Sequence, residues 1–473
     1  PGNLRRVTSP HDRLLALLAE RSVRRGTFTL ASGRTSNVYV DARLTTMSPD
    51  GLATIEIGLA DWELAKNYAA EMAIKADIRE TLKVLVPALK AKGGAALEKR
   101  AAERIKSIAP RNWSARRAEA LERGVGVIAK NYASSAAKGK LTEDAVATRM
   151  GLLQPSTDLS CLAECDLVIE AIYENMDAKL ELFARLDATV KASALLASNT
   201  SYLDIERMAQ ATRRPGQVMG LHFFSPANVN RLLEIVRTPS VADQTLATGV
   251  ALAKRIGKLG VVVGNAYGFV GNRMLAPRQR EADKLILEGA LPWDVDRVLE
   301  AFGLPMGPFR MRDLAGMDIG WNRTGSRSST VREILCEQGR LGQKTKCGYY
   351  DYDAARKATP SPVAEQVVLD FAAREGYVRR AVSDEEILER CLYPMVNEGA
   401  RILAEGIAER ASDIDMVWTT GYGWPTFTGG PMHWAEEVGL RHIVARLRHY
   451  ESLYGADFTP SSGLVEMGSV TTT

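Results

Sequence analysis

Two short apolar runs in the middle of the chain each enclose one polar residue. The runs are VMGLHFF over 218–224 and LLEIV over 232–236, and turn-forming residues bound both of them. Short apolar runs between turns are typical of buried strands, so the pattern predicts two such strands. His222 interrupts the first run and Glu234 the second. A carboxylate in an apolar run needs a partner in place of its lost hydration, so we predict that Glu234 binds His222.

The predicted pair has two interpretations. In the first, Glu234 binds one ring nitrogen of His222 and leaves the other free to move a proton, as an orienting group does for a general base. In the second, the pair is structural and only links two strands. The spacing of the two residues is compatible with both interpretations and does not decide between them.

Further apolar runs extend the predicted sheet. DLVIEAI over 166–172 is typical of a buried strand in a parallel sheet, LASNTS over 196–201 ends the next strand, and 261–263 form the last one. Near the start of the chain, 28–44 alternates enough between apolar and polar residues to predict a pair of strands. Apolar residues at helical spacing predict two helices after it, over 76–92 and 95–108.

Composition and charge exclude several classes of protein. With 473 residues, 46% hydrophobic and 25% charged, the chain has the composition of a globular protein of two or three domains. No apolar run reaches the roughly 18 residues of a membrane span, and a formal charge of +4 does not indicate a nucleic-acid partner. The five cysteines are scattered, and Cys161 and Cys165 lack further zinc ligands, so we predict no metal site. Free thiols and the lack of an apolar leader predict a reduced, cytoplasmic protein.

Four motifs then point to a known family. They are SNTS over 198–201, HFFSPA over 222–227, LLEIVR over 232–237 and GFVGNRM over 268–274. In order and spacing they resemble the 3-hydroxyacyl-CoA dehydrogenases of fatty-acid β-oxidation, over about 117–455. The resemblance implies an α/β Rossmann-like nucleotide domain followed by all-α C-terminal domains in tandem. It also implies oxidation of a (3S)-3-hydroxyacyl-CoA to a 3-oxoacyl-CoA with NAD as cofactor, and a homodimer formed through the helical domains.

The resemblance assigns roles to individual residues. It implies that His222 takes the proton of the 3-hydroxyl group, that Glu234 orients His222, and that Ser201 and Asn272 hold the substrate oxygens. The residues that it places at the cofactor are Glu174, Lys179, Ser201, Ser225 and Lys344.

Most of these residues also have structural interpretations that the sequence leaves open. Glu174 and Lys179 suit a surface ion pair at a helix start. Ser201 or Asp204 suits the cap of the helix that follows, and Asn272 suits the cap of its own helix.

Three residues depart from the family's pattern. Ser225 stands where many relatives carry Asn, although its hydroxyl can still form a hydrogen bond. Lys346 and Cys347 stand in QKTKCGYYDY, where the family has QKTGxGxYxY with small residues. The conformation of the loop that carries Lys344 is therefore in question.

The helical part of the chain contains an internal repeat. Asp294 in DVDRV is answered by Asp413 in DIDMV, and six further residues recur 117 positions later. Two similar helical units that stack together bury faces that neither buries alone. The second unit has Glu389 at the position equivalent to Asn272, so we predict that it lacks a catalytic asparagine. The recurring residues are Arg273, Leu275, Pro277, Glu281, Glu288 and Gly289, matched by Arg390, Leu392, Pro394, Glu398, Glu405 and Gly406.

The first element of a dinucleotide-binding domain is missing from the sequence. Such a domain begins with a strand, a GxGxxG turn, a helix and a second strand that ends in an acidic residue. Counting back from Glu174, this element should lie near LKVLVPALKAKGG over 82–94, which has no such glycine pattern. We therefore predict that the sheet begins at the strand near Asp166 and that NAD binds weakly.

The chain divides into four predicted parts. About 10–55 resemble the start of orotate phosphoribosyltransferase and about 60–116 weakly resemble a linker of thiamine-diphosphate enzymes, but neither stretch is followed by its family's cofactor-binding motif. The predicted parts are an atypical N-terminal region over 1–116, an incomplete Rossmann-like domain over 117–263, and helical domains over 264–378 and 379–473.

Two hypotheses of function follow. The first is a 3-hydroxyacyl-CoA dehydrogenase of β-oxidation, with activity reduced by the missing glycine turn. The alternative is a non-catalytic acyl-CoA-binding pseudo-enzyme that kept the substrate side and lost the dinucleotide loop.

Overall fold

A computed structural model of the chain describes residues 113–470, together with four short strands upstream. Its contacts divide the chain into two compact units, Pro1–Thr157 and Asp158–Thr473. The predicted helices over 76–92 and 95–108 lie outside the described residues, as does 82–94, where the glycine turn was expected. None of the described helices is long and apolar enough to span a bilayer.

In the first unit, strands β1 (Val23–Thr29) and β2 (Thr35–Val40) pair antiparallel. The predicted strand pair therefore exists, but β1 begins five residues before the predicted stretch 28–44. Strands β3 (Ile55–Ile57) and β4 (Met72–Ile74) pair parallel. Helix α1 (Trp113–Ala137) is followed by a shorter helix, whose first turn is capped because the Thr142 hydroxyl accepts the Ala145 N–H at 3.2 Å. This shorter helix is α2 (Glu143–Gly151).

The second unit contains a five-stranded sheet in the order β5-β6-β7-β8-β9. The first three strands are parallel, the fourth reverses direction, and the fifth runs parallel to the fourth. The strands are β5 (Leu167–Glu170), β6 (Leu195–Ser198), β7 (Val218–Phe223), β8 (Leu232–Arg237) and β9 (Leu259–Gly264). The helices that connect them are α3 (Met176–Thr189), α4 (Ile205–Gln210) and α5 (Asp243–Arg255). This arrangement confirms the predicted α/β class.

Strand β5 differs from its prediction. It is shorter than 166–172, and Ile169 is 41% exposed, so the prediction of full burial is wrong for this strand. Its position explains the exposure, because β5 lies at the edge of the described sheet and has a strand neighbour on one side only. The described sheet does begin just after Asp166, as predicted.

Ten helices and a short hairpin follow the sheet in the described chain. The helices are α6 (Gly271–Glu288), α7 (Pro292–Phe302), α8 (Pro308–Ala315), α9 (Val331–Glu337), α10 (Pro362–Arg374), α11 (Asp384–Ala404), α12 (Ala411–Gly421), α13 (Pro431–Val438), α14 (Leu440–Tyr454) and α15 (Ser462–Val470). The hairpin consists of β10 (Tyr350–Tyr352) and β11 (Ala358–Pro360).

The sequence repeat is also a repeat of contacts. Arg273 at the start of α6 binds one carboxylate on α11 and one directly after its end, both at 2.6 Å. Arg390, its equivalent on α11, binds two carboxylates on α6, at 2.9 Å and 2.5 Å. Helices α6 and α11 therefore run antiparallel and exchange equivalent ion pairs. The carboxylates are Glu398 on α11 and Glu405 directly after it, and Glu281 and Glu288 on α6.

The repeat extends to the helix that follows in each unit. Asp296 on α7 accepts the Phe309 and Arg310 N–H groups of the first turn of α8, both at 2.9 Å. Asp415 on α12 accepts the first-turn N–H groups of α13 in the same way, at 2.7 Å and 3.2 Å. These buried carboxylates satisfy N–H groups that a helix leaves without an internal partner. The two units thus share one packing scheme.

Candidate functional site

The site is built on the pairing of β7 with β8. The antiparallel register places His222 directly opposite Glu234. His222 Nδ1 lies 2.8 Å from Glu234 Oε2, and the two residues are 4% and 0% exposed. The predicted pair is therefore confirmed. With Nδ1 bound to the carboxylate, the chemistry of the ring is left to Nε2.

The second oxygen of Glu234 is held by the start of α6. The Gly271 N–H donates to Glu234 Oε1 at 3.0 Å, so both carboxylate oxygens have a partner. The partial positive charge of a helix N-terminus favours a carboxylate at this place. Glycine is required here because a Cβ on Gly271 would lie 2.3 Å from the ring of Tyr422.

Asn272 adjoins this contact but does not cap the helix. Helix α6 has Val270 at its N-cap position and no side-chain cap, so the capping interpretation of Asn272 is wrong. Instead, Asn272 Oδ1 accepts a hydrogen bond from the Tyr422 hydroxyl at 2.8 Å. This contact fixes the amide plane and leaves two N–H donors on the other end of the amide.

Aromatic rings enclose His222. The ring of Phe224 lies 4.4 Å from that of His222 and the ring of Phe269 lies 5.5 Å away, between centroids. Phe269 is fully buried and has a φ of 49°, a left-handed conformation that a bulky residue rarely adopts. Such backbone conformations concentrate at functional sites, where the surrounding packing holds them.

The loop after β6 is organised by Glu174. Its Oε1 accepts hydrogen bonds from the Thr200 hydroxyl at 2.6 Å and from the Ser201 and Tyr202 N–H groups at 3.1 Å and 3.2 Å. Helix α4 is capped by Asp204, so of the two capping candidates Asp204 is correct and Ser201 is not the cap. The Ser201 hydroxyl is therefore not used for capping.

This loop is also tied to the strand of His222. Asn199 Oδ1 accepts the Phe223 N–H at 2.8 Å, across the carboxyl ends of β6 and β7. Ser201 and His222 are thereby brought to the same edge of the sheet, where open α/β sheets bind their ligands.

Lys179 is buried rather than exposed. Its ammonium lies 2.7 Å from Glu170 and 3.5 Å from Glu174, and the residue is 1% exposed. The interpretation as a surface ion pair is therefore wrong. Glu170 also accepts a hydrogen bond from the Ser198 hydroxyl at 2.6 Å. The buried Glu170 side chain therefore links the end of β5 to the end of β6.

The last two predicted residues have different settings. Ser225 is exposed, two residues beyond the end of β7. Lys344 is held by an ion pair with Asp318, and this hydrogen bond lowers the pKa of Asp318. In the loop of Lys344, Lys346 has a φ of 60°, a left-handed conformation that costs energy for a residue with a Cβ, at the position where the family's motif has glycine.

The described residues include a sheet edge of the kind at which open α/β sheets bind a nucleotide. The Glu174 loop and the edge of β5 to β7 suit the nicotinamide end, by their polar groups at the carboxyl ends of parallel strands. Gly124 and Gly126 have GxG spacing, but both lie inside helix α1 and not at a turn from strand to helix. The stretch where the pyrophosphate turn was expected lies outside the described residues.

Sequence reasoning missed several residues of the site. Glu170 gave the same signal as Glu234, a lone carboxylate in an apolar run, and this signal was sufficient to find it. Asn199 and Phe269 lay inside recognised motifs without an assigned role. Tyr422 gave no signal near the motifs, because it is 150 residues from Asn272.

Two models of known protein domains match this chain. The model of the 3-hydroxyacyl-CoA dehydrogenase NAD-binding domain matches residues 108–266. The model of the 3-hydroxyacyl-CoA dehydrogenase C-terminal domain matches twice, over 268–352 and 387–470. The double match coincides with the two helical units described above.

Similar proteins include peroxisomal bifunctional enzymes. That of Danio rerio is 42% identical over 338 residues, which are 66% of this chain and 47% of the relative. That of Homo sapiens is 45% identical over 311 residues, 61% of this chain and 43% of the relative. The chain thus spans about half the length of the curated relatives that it matches.

Similar solved structures include two dehydrogenases. The 3-hydroxybutyryl-CoA dehydrogenase of Escherichia coli K12 is 26% identical with a TM-score of 0.63, covering 75% of this chain and 92% of that one. The dehydrogenase part of multifunctional enzyme 1 from C. elegans is 31% identical with a TM-score of 0.54, covering 73% and 81%.

One expectation is corrected by these findings, and two resemblances are not shown by them. The expectation of a cytoplasmic protein is wrong, because the relatives are named as peroxisomal or, in Brassica napus, glyoxysomal enzymes. Free thiols and the start of the printed sequence were insufficient evidence for a compartment. The resemblances of 10–55 to orotate phosphoribosyltransferase and of 60–116 to thiamine-diphosphate enzymes are not supported by the comparisons.

Proposed function

The chain belongs to the 3-hydroxyacyl-CoA dehydrogenase family, and on this premise we propose that it oxidises a (3S)-3-hydroxyacyl-CoA to the 3-oxoacyl-CoA with NAD. The observation that carries the proposal is the buried His222–Glu234 pair at 2.8 Å, on strands whose ends carry the family's other motifs. A merely structural pair would not require Asn272 next to the helix N–H that binds Glu234, or Ser201 in the loop that is tied to the strand of His222.

The mechanism follows from the geometry of the pair. His222 Nε2 takes the proton of the substrate's 3-hydroxyl group as the C3–H bond breaks. Glu234 holds the ring through Nδ1 and stabilises the imidazolium that forms. Bound NAD supplies the acceptor of the hydride that leaves C3. The apolar rings of Phe224 and Phe269 limit water around His222, which strengthens these charge interactions.

Two polar side chains position the substrate in this proposal. The Asn272 amide donates N–H to the 3-oxygen, and the Ser201 hydroxyl bonds to the same part of the substrate or to the cofactor. These groups act by orientation, since a near-attack geometry supplies much of an enzyme's rate.

We assign the nicotinamide side of the cofactor site to Glu174, Lys179, Ser225 and Lys344, beside Ser201. Glu174 holds the loop after β6 by accepting the N–H group of Ser201, and the buried Lys179 ammonium holds Glu174 through an ion pair. Ser225 is exposed at the end of β7 and available for a hydrogen bond.

The wider assignments rest on the family. We propose the predicted domain boundaries at 117, 264 and 379, a homodimer through the helical domains, and the peroxisome as the compartment, as in the names of the relatives. Longer relatives carry more chain than is present here, so any second activity of theirs is not assigned. The alternative of a non-catalytic acyl-CoA-binding protein gains no support from the comparisons.

The proposal is tested by NADH-dependent reduction of acetoacetyl-CoA, followed as loss of NADH absorbance. We expect turnover by the wild type and a loss of about 10² to 10⁴ in His222→Ala. His442→Ala is the control, because its side chain is 54% exposed in the second helical unit. Circular dichroism must accompany the assay, since stranding the buried Glu234 costs about 3 to 5 kcal/mol. Wild-type turnover in a folded His222→Ala would contradict the proposal.

A further inference from the structure

The second helical unit reaches the sheet that carries His222. Helix α12 ends against the start of β8, where the Asn230 amide donates to the Gly421 carbonyl at 3.0 Å. A Cβ on Gly421 would lie 2.3 Å from the Leu232 side chain, so this approach requires glycine. The Gly264 N–H also donates to the Ile407 carbonyl at 2.7 Å, which joins the end of β9 to the same unit.

This docking delivers Tyr422 to the site. Tyr422 follows α12 directly, and its ring stacks on that of Trp418 at 4.5 Å between centroids. The ring also meets Phe224 edge-on at 5.4 Å, and Phe224 in turn lies against His222. The hydroxyl lies 2.8 Å from Asn272 Oδ1.

The hydroxyl of Tyr422 is held in its donor form. Desolvation raises the pKa of Tyr422 well above its ordinary value, and the negative charge of Glu234 raises it further. The phenol therefore keeps its proton throughout the pH range in which dehydrogenases are assayed. Because Oδ1 accepts this hydrogen bond, the two N–H groups of the Asn272 amide point away from the Tyr422 hydroxyl.

We propose that Tyr422 is a positioning residue for the dehydrogenase reaction: the second helical unit supplies the hydroxyl that sets the amide orientation of Asn272, so that its N–H end binds the substrate's 3-oxygen. This inference rests on the proposed function. It gives the second helical unit a part in a site that is otherwise built from the sheet and the first helical unit.

The repeat itself provides a matched control. At the position equivalent to Asn272, Glu389 accepts a hydrogen bond from the Tyr450 hydroxyl at 2.5 Å. Arg446 binds the same carboxylate at 2.6 Å, so the equivalent place in the second unit is filled by an ion pair. Tyr450→Phe removes the phenol hydroxyl that contacts the residue equivalent to Asn272, without touching the proposed site.

The experiment compares Tyr422→Phe with Tyr450→Phe in the full chain. A single hydrogen bond corresponds to about a threefold to tenfold change. We expect kcat for acetoacetyl-CoA reduction to fall by that factor in Tyr422→Phe, with the KM for NADH unchanged and kcat unchanged in Tyr450→Phe. In an Asn272→Ala background, Tyr422→Phe should have no further effect, because the residue through which it acts is gone.

A binding measurement keeps the test independent of turnover. Calorimetry gives the ratio of the dissociation constants of butyryl-CoA, which lacks the 3-oxygen, and acetoacetyl-CoA. We expect Tyr422→Phe and Asn272→Ala to reduce this ratio equally, by about threefold to tenfold, and Tyr450→Phe to leave it unchanged. Unchanged kcat and ratio in Tyr422→Phe, additive effects with Asn272→Ala, or an equal loss in Tyr450→Phe would overturn the inference. An inactive wild type would instead refute the proposed function, while the ratio still tests Tyr422.

Discussion

Replacing Glu234 by Gln changes one atom of the buried pair and should nearly abolish turnover. The side chain keeps its shape, and its carbonyl oxygen can still accept the Gly271 N–H that now lies 3.0 Å from Oε1. The amide –NH2 then faces His222 Nδ1, at the place of the oxygen 2.8 Å away. Since an amide N–H donates, Nδ1 becomes the acceptor and the ring proton moves to Nε2. In that tautomer His222 has no lone pair for the substrate's hydroxyl proton.

The magnitude follows from the loss of the general base. Proton transfer by a positioned side chain contributes about 10² to 10⁴ in rate. This factor corresponds to about 3 to 5 kcal/mol of transition-state free energy. The stability effect should be smaller, about 1 kcal/mol, because Gln leaves neither a cavity nor an unpaired charge.

The assay is NAD-dependent oxidation of (3S)-3-hydroxybutyryl-CoA, the direction that needs His222 as a base, at saturating and limiting substrate and with urea unfolding in parallel. Glu389→Gln is the matched control, since Glu389 is also a buried carboxylate, 3% exposed, but lies in the second helical unit. We expect kcat/KM to fall in Glu234→Gln only. A kcat/KM of Glu234→Gln within threefold of the wild-type value would refute the role of His222 as the base. The pair would then be only a structural link between the two strands.

Three further predictions concern other parts of the chain. NADH should bind with a millimolar dissociation constant in calorimetry. Losing two or three pyrophosphate hydrogen bonds of about 1.5 to 3 kcal/mol each removes on the order of 4 kcal/mol or more, which is about a thousandfold in affinity. A micromolar constant would mean that 60–116 rebuild a phosphate site. Lys346→Gly should raise the free energy of unfolding by about 1 kcal/mol, measured in urea. Glycine has no Cβ, so it adopts the left-handed conformation at a φ of 60° without the strain that Lys346 causes. A loss of stability would contradict this interpretation of the loop. Asp187→Asn should cost about 2 kcal/mol at pH 7, because the carboxylate binds Arg213 and Arg214 at 2.7 Å each. Burial alone would raise the pKa of Asp187, but these hydrogen bonds lower it below its ordinary value. The stabilisation by the Asp187 carboxylate is therefore present above about pH 4 and is lost as the pH falls through the lowered pKa. In urea unfolding, the free energies of unfolding of the wild type and of Asp187→Asn should become equal in acid and stay different at about pH 7 to 9.

The sequence was sufficient for the part of the site that lies on strands. A lone polar residue in an apolar run has to find a partner, and two such runs close in sequence define the pair His222 and Glu234. The same reasoning applied to DLVIEAI would have found Glu170. Capping roles were not decided by residue type, because Ser201, Asp204 and Asn272 are all suitable caps and only the local backbone selects among them.

Contacts between distant elements could not be predicted. Tyr422 meets Asn272 because α12 docks on β8 through Gly421, and the sequence does not encode that docking as a local pattern. The burial of Lys179 depends in the same way on how α3 packs over the ends of β5 and β6. The repeat was visible, but the exchange of ion pairs between α6 and α11 required their antiparallel crossing.

In the proposed reaction, His222 and Glu234 move the proton that accompanies hydride transfer at C3 of a 3-oxoacyl-CoA. The most direct measurement uses NADH carrying deuterium at both C4 positions, with acetoacetyl-CoA as substrate and mass spectrometry of the product. From the wild type we expect a 3-hydroxybutyryl-CoA that contains one deuterium, located at C3, and from His222→Ala almost none. A product without deuterium at C3, or equal label incorporation by the folded His222→Ala variant, would contradict it.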